Sequence, residues 1–202
     1  MPHARTDLFL GRQPIVDRRR NILAYELLYR DAADPCAACV SDEAAATAQV
    51  MGQAFDRLGV ATVLGPCTGF INVDREMLMS RALERLPRGR VVLELLETMA
   101  VDGAVIERCR ALKRLGFRLA LDDVTSFREC DEPLLGIADI VKVDVLATDS
   151  AALDALVRRL KLYPARLLAE KVETRDRARR CLELGFDLFQ GYFFGRPVIV
   201  TS

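Results

Sequence analysis

Seven places in this chain set an acid, an amide or a lysine directly after a short apolar run: Glu26, Asn72, Glu94, the pair Asp122–Asp123, Lys142, Glu170 and Gln190. The runs before them read ILAY, GFI, VVL, FRLAL, ADIV, RLLA and DLF. A lone carboxylate buried at the end of a β-rich run is heavily penalised, so a series of such endings implies strands that deliver polar groups to one shared face. Carboxylate and amide oxygens in this number suit a hard divalent cation such as Mg2+ or Mn2+. Two such cations can activate a water and neutralise phosphate oxygens in phosphodiester hydrolysis. Glu26, Asn72, Glu94 and Asp122 are the candidate ligands of one ion, with Asp123 on a second. Lys142 among these acids could orient a water or offset negative charge.

Each residue taken singly has a plainer reading. Glu26 could lie on an edge hairpin, and Asp122–Asp123 could form a turn or helix cap. Lys142 could pair with Asp144 along its strand, Glu170 and Glu173 with Lys171 or Arg175, and Gln190 could cap a backbone group. Repetition at the ends of successive strands is what favours a site, because the C-terminal ends of barrel strands are where active sites are built.

The elements that must position these groups follow from pattern and punctuation. Phe9–Val16 and Ile22–Tyr29 read as an antiparallel hairpin across the polar turn Asp17–Asn21. Asp42–Leu58 reads as a helix capped by Ser41 and closed by Gly59. Strands and helices then alternate: strand Phe70–Val73, helix Glu76–Leu86, strand Val91–Leu96, helix Asp102–Leu115 closed by Gly116. Strand Arg118–Val124 precedes a polar loop, Thr125–Glu132, and a short apolar turn. Strand Ile140–Val145 leads to helix Ser150–Leu162, stopped by Pro164. Strand Arg166–Val172 leads to helix Arg175–Leu184, stopped by Gly185, and strand Leu188–Phe194 comes last. Regular βα alternation implies an α/β fold. Eight strands with polar ends favour a TIM-like (β/α) barrel with an antiparallel first strand over an open sheet, which gathers ligands at one switch point. The expected division is a tail over 1–8, a barrel over 9–197 and a tail over 198–202, with no final helix. Adjacent strand residues face opposite ways, but where the strand gives way to loop both Asp122 and Asp123 can turn inward.

Bulk composition narrows the classes. The chain has 202 residues, with 29 basic side chains balanced by 29 acidic ones. This length supports one sizeable core, and a neutral balance gives no general drive towards DNA, RNA or a membrane surface. No basic stretch followed by a long apolar run opens the sequence, and no run approaches a membrane-spanning length, so the cytoplasm is the expected location. With a single histidine, His3, histidine-based triads and histidine-ligated metals are excluded. Among the six cysteines only Cys36 and Cys39 are closely spaced, a poor zinc site, so unpaired thiols in a reducing compartment are expected.

From Phe9 to Pro197 the motifs QPIVD (Gln13–Asp17), YELLYR (Tyr25–Arg30), FINVD (Phe70–Asp74), LELLE (Leu93–Glu97), LALDD (Leu119–Asp123), IVKVD (Ile140–Asp144), AEKVE (Ala169–Glu173) and FQGYFFGRP (Phe189–Pro197) follow one another. In this order they resemble the EAL family of cyclic di-GMP phosphodiesterases, with ELL at the signature glutamate Glu26. RQPIVD, YELLYR and AEKVET look most like the branch in which an EAL domain precedes an HDOD domain. The resemblance implies metal ligands Glu26, Asn72, Glu94, Asp122 and Asp123 for Mg2+ or Mn2+. It implies Lys142 holding the attacking water, Glu170 needed for turnover, and substrate contacts from Gln13 and Arg30. Supporting roles fall to Gln190 near the metal water, to Glu173 and Asp144, and to Glu97 beneath the loop after the Asp pair. The implied partners are cyclic di-GMP and either a second copy or a following HDOD-type domain.

Two departures from the family pattern carry expectations. The family's loop after the Asp pair resembles DDFGTGYSS, whereas this chain reads Asp122-Asp-Val-Thr-Ser-Phe-Arg-Glu-Cys130 with no glycine. Left-handed turns are therefore not freely available there, and the second metal site is expected to be the weaker. Lys171 stands where the family has glycine and adds a charge beside Glu170. The leading expectation is a phosphodiesterase that opens cyclic di-GMP to linear pGpG. The alternatives are a catalytically weak or inactive cyclic di-GMP receptor and a partner-binding module.

Overall fold

A computed structural model describes residues 9–30 and 59–200. Strand β1 (Phe9–Asp17) pairs antiparallel with β2 (Ile22–Arg30) across a tight turn in which Asp17 Oδ1 accepts from the Arg19 and Asn21 N–H groups. Parallel pairing then runs through β3 (Thr68–Val73), β4 (Val91–Leu95), β5 (Arg118–Val124), β6 (Ile140–Asp144), β7 (Arg166–Glu170) and β8 (Leu188–Phe189). β8 returns to β1 antiparallel, Val16 opposite Phe189 and Asp17 opposite Leu188, and so closes an eight-stranded barrel. The expected α/β barrel with an antiparallel first strand is the fold observed.

The period of two along each strand explains the interior. Ile15, Ala24, Phe70, Val92, Ala120, Ile140, Leu168 and Leu188, one from each strand, form a separate buried apolar cluster. Fully burying one large aliphatic or aromatic side chain contributes about 1.5–3 kcal/mol, so this ring supplies on the order of ten kcal/mol. Two residues further towards the C-terminal mouth, the same inward-facing rows carry Glu26, Asn72, Glu94, Asp122, Lys142, Glu170 and Gln190. On β1, which runs the other way, the equivalent step is backwards, to Gln13, opposite Glu26. The apolar floor and the polar layer above it are thus one pattern read at successive steps.

The outward-facing residues meet helices. α1 (Val60–Leu64) and α2 (Arg75–Met79) are short, and α3 (Gly103–Arg114) buries Val105, Cys109 and Leu112. After α4 (Glu132–Leu135), α5 (Ser150–Leu160) buries Leu153, Leu156, Val157 and Leu160, and α6 (Arg175–Leu184) buries Ala178 and Cys181. Side-chain caps start most of them: Asp74, Asp102, Asp149 and Thr174 each accept from a first-turn N–H, the ordinary means of satisfying those orphan donors.

The structure revises several expected boundaries. The helix expected over Glu76–Leu86 is split: Ser80 is extended (φ −71°, ψ 142°), its Oγ accepts from Ala82 N–H, and a 3-10 turn follows over Arg81–Arg85. Gly59 precedes α1 at φ 79°; the helix expected at Asp42–Leu58 and the pair Cys36 and Cys39 lie outside the described residues. The strand expected to reach Val172 ends at Glu170, because Lys171 takes a left-handed conformation (φ 54°). β8 ends at Phe189 rather than Phe194, for Gly191 turns the chain at φ 145°. The loop Thr125–Glu132 contains a 3-10 turn at Glu129–Asp131. Val198–Val200 forms a further strand, β9, antiparallel to the start of β1. Cys67, Cys109, Cys130 and Cys181 are unpaired thiols, as expected.

Candidate functional site at the barrel mouth

Lys142 is the hub of the polar layer. Its ammonium donates to Asp122 Oδ1 at 2.7 Å, pairs with Glu170 Oε1 at 2.8 Å, touches Glu94 and lies 3.9 Å from Glu26 Oε1. The side chain is 1% exposed and Glu94 is wholly enclosed. Burial draws the Lys142 pKa down, but Glu170, Glu26, Glu94 and Asp122 outweigh it and hold the ammonium well above its ordinary range. The expected alternative, a pair with Asp144 along β6, does not form.

Four carboxylates facing one ammonium leave this layer short of positive charge. Burial is the main reason Glu94 is held far above the usual carboxylate range; Glu26 and Asp122 add to the effect and Lys142 opposes it. Burial likewise pushes Glu170 up to about 8, with Asp122 and Glu26 adding and Lys142 opposing. Both acids therefore favour the proton until another cation relieves them.

The oxygens needed for such a cation are present and uncommitted. Asn72 Oδ1, Glu94 Oε2, Glu170 Oε2 and Gln190 Oε1 are buried without a hydrogen-bond partner, whereas Glu94 Oε1 meets the Lys142 ammonium. Buried polar atoms are rarely left so, and this set is all hard oxygen. Asn72 and Glu94 are paired residues on neighbouring strands. Among the described residues no three Asp, Glu, Cys or His side chains are arranged to hold a metal ion; the acids are gathered on the Lys142 ammonium. Glu26, Asn72, Glu94 and Asp122 supply oxygen donors of the type a hard divalent ion takes.

On the far wall Gln190 organises the first two strands. Its Nε2 donates to Glu26 Oε2 and, at 3.2 Å, to Gln13 Oε1, while Gln13 Nε2 donates to Gly195 O at 3.1 Å. Gln13 is thereby fixed at the rim. Arg30 ends β2, and its side chain lies outside those described.

Asp123 goes elsewhere. At φ 48° it turns away from the Lys142 group, and both its oxygens accept from Lys171 Nζ, at 2.8 and 3.1 Å. Lys171 also donates to Asp144 Oδ2 at 2.5 Å. Burial opposes the charge on Asp144, yet Lys171 and the Leu146 and Ala147 N–H groups hold its carboxyl below the usual range. Glu173 is exposed and joins no ion pair among the described residues. Glu97 is exposed beside a small cavity shared with Arg128 and Asp131 of the loop after the Asp pair. That loop needs no glycine: Phe127 stacks on Tyr163 and lies under Arg159, and Arg128 pairs with Asp131 at 2.6 Å.

Sequence reasoning missed two features. One is the use of Lys171 as a ligand to Asp123 and Asp144, for which its place in a family glycine position was the available signal. The other is the close approach of Gly191 to the Val172 backbone, where a Cβ on Gly191 would come within 2.3 Å; its signal was Gly191 itself. A separate cavity of about 700 Å3 opens at the other end of the barrel among Arg110, Lys113, Arg114, Arg118 and Arg166. Its one acid, Asp139, is already committed to Lys113 and the Leu119 N–H, and the mouth is the candidate site.

Residues 4–197 match the EAL domain, and the chain belongs to that family. It is 34% identical over 196 residues to the cyclic di-GMP phosphodiesterase CdgJ of Vibrio cholerae, covering 96% of this chain and 45% of that protein. It is 33% identical over 199 residues to the uncharacterized protein YuxH of Bacillus subtilis, covering 96% and 48%. The chain thus spans about half the length of these relatives. Among solved structures, a manganese and cyclic di-GMP complex of Klebsiella pneumoniae BlrP1 shares the fold with a TM-score of 0.77 at 23% identity, covering 98% of this chain and 57% of that one. The PaMucR phosphodiesterase in complex with cyclic di-GMP gives 0.74 at 23% identity, covering 95% and 97%.

Proposed function

We propose that this chain is a metal-dependent phosphodiesterase that opens cyclic di-GMP to linear pGpG in the cytoplasm. The observation that carries the proposal is the layer of four carboxylates on buried Lys142, with Asn72 Oδ1 and Glu94 Oε2 left unpartnered beside it. A divalent ion held by Glu26, Asn72, Glu94 and Asp122, Mg2+ or Mn2+ by the hardness of these donors, would polarise a water and a phosphate oxygen there. Lys142 faces the same space with an ammonium fixed on three sides, suited to holding the attacking water by its oxygen. Glu170 holds its proton while the mouth is short of positive charge; with that deficit relieved by a divalent ion it would be ionised and could take the water's proton. The water oxygen bonds to phosphorus as the 3′ oxygen leaves and is protonated, giving a 5′ phosphate and a 3′ hydroxyl. Gln190 keeps Glu26 aimed inward, and Gln13 and Arg30 stand at the rim for the substrate. The identity to a named cyclic di-GMP phosphodiesterase supports this choice of substrate.

Incubation of the purified chain with cyclic di-GMP and Mn2+ should yield pGpG by chromatography, and Glu26→Gln should reduce the rate at least a hundredfold with an unchanged circular dichroism spectrum. Full activity in that variant would refute the ligand assignment. The second reading, a receptor that binds cyclic di-GMP with little turnover, is favoured by one observation, the engagement of Asp123 by Lys171.

A further inference from the structure

We infer that Lys171 is a built-in cation that occupies the second carboxylate cluster at the barrel mouth, so that this chain holds one divalent ion rather than two. The inference rests on the metal reading proposed above and concerns only how many ions the mouth accepts.

The two clusters differ in what they leave open. Around Lys142, four carboxylates share one ammonium and several buried oxygens have no partner. Around Lys171, two carboxylates share one ammonium and every oxygen is engaged. Asp123 gives both its oxygens to Lys171 Nζ. Asp144 gives Oδ2 to Lys171, while Oδ1 accepts from Leu146 N–H at 2.8 Å and Ala147 N–H at 2.9 Å. No atom of this second cluster is among the buried unpartnered ones. An incoming ion would find a charge deficit and free ligands at the first cluster, and at the second an ammonium to displace.

The backbone holds Lys171 in this position. Its φ of 54° is a left-handed conformation that glycine or asparagine adopts more readily than lysine. The turn is fixed from behind: Val172 N–H donates to Gln190 O at 3.0 Å, and Phe193 N–H donates to Val172 O at 3.1 Å. Gly191 lies so close that a Cβ there would come within 2.3 Å of the Val172 backbone. With the chain pinned on both sides, the Lys171 stem leaves β7 towards Asp123 and Asp144. An ammonium in this place neutralises charge, but unlike a divalent ion it brings no bound water, so water activation falls to the first cluster alone.

Mn2+ titration of the purified full chain, followed by electron paramagnetic resonance and calorimetry, tests this without measuring turnover. Wild type should bind one Mn2+ tightly, with any second ion at least tenfold weaker, and show an isolated Mn2+ spectrum. Lys171→Asn removes the charge yet tolerates the left-handed turn. It should bind two ions of comparable affinity and show the spectrum of an exchange-coupled pair, whereas Lys171→Arg should match wild type. Two comparable ions in wild type, or a single ion in Lys171→Asn with a native circular dichroism spectrum, would overturn the inference while leaving the first ion in place. No bound Mn2+ in either protein would overturn the metal reading and this inference with it.

Discussion

Gly191→Ala should damage the site from a position that carries no chemistry. Gly191 sits at φ 145°, and a Cβ built there falls 2.3 Å from both the N and the O of Val172. Ordinary contact starts at about 3.4 Å, so the two backbones must part by roughly 1 Å. The left-handed backbone costs an alanine about 1–3 kcal/mol and the overlap about 1–3 more, giving a destabilisation of about 2–6 kcal/mol. For a domain of this size each kcal/mol lowers Tm by about 2–4 °C, so a thermal melt followed by circular dichroism should drop by about 4–24 °C. Val172 follows Glu170 and Lys171, and Gln190 orients Glu26, so both walls of the mouth shift. A misplacement near 1 Å can cost about a hundredfold in rate, read as pGpG released per minute at a temperature where the variant stays folded. Gly103→Ala is the control: it lies at the start of α3 with nothing within 4 Å of its Cβ position and should leave Tm and rate nearly unchanged. A Gly191→Ala protein with wild-type Tm and rate would refute the claim that this close approach positions Glu170 and Gln190.

Two further outcomes follow from the ionisable groups. Glu94 and Glu170 have folded-state pKa values raised by burial, Glu170 to about 8. The folded protein therefore keeps protons that the unfolded chain releases above about pH 4.5, and stability should fall as pH rises from 5 to 8.5 in the presence of a chelator. Calorimetry should show Tm falling across that window and Mn2+ raising Tm more at pH 8.5 than at pH 5; a chelated protein more stable at 8.5 would contradict the charge deficit. Burial pushes the thiols of Cys109 and Cys181 up to about 11, so at pH 8 roughly one in a thousand is thiolate. Iodoacetamide followed by peptide mass spectrometry should find exposed Cys130 modified long before either, and equal rates would show that α3 and α6 open readily.

Much of the fold was legible because barrel chemistry repeats. Each parallel strand is short and apolar and ends in one polar residue, so its end marks both a boundary and a member of the site. Gln13 belongs to the same layer but was readable only through family motifs, since on an antiparallel strand the polar residue comes before the apolar one. Boundaries failed where backbone conformation overrode composition. Lys171 and Val172 look like strand by residue type, yet the left-handed turn at Lys171 ends β7, and no local preference of lysine announces it. Ser80 split a helix by taking a cap's conformation in the middle of a helical pattern. The partition of the acids between two lysines was beyond the sequence, because it depends on the left-handed turn at Asp123 near the end of β5. β9 lacked a signal as well: Val198–Val200 is apolar but short, and its place depends on β1, nearly the whole chain away.

The seam of the barrel bears on how the chain is made. β1 finds β2 at once across a turn, but its contact with β8, Val16 with Phe189 and Asp17 with Leu188, joins residues far apart in the sequence. Contacts of such sequence separation are slow to form. Until β8 emerges, the hairpin and the growing sheet present open edges, and Gln190 is not yet there to meet Gln13 and Glu26. The far wall of the mouth needs both β1 and β8, so most of the barrel must fold before Gln190 can hold Gln13 and Glu26 in place.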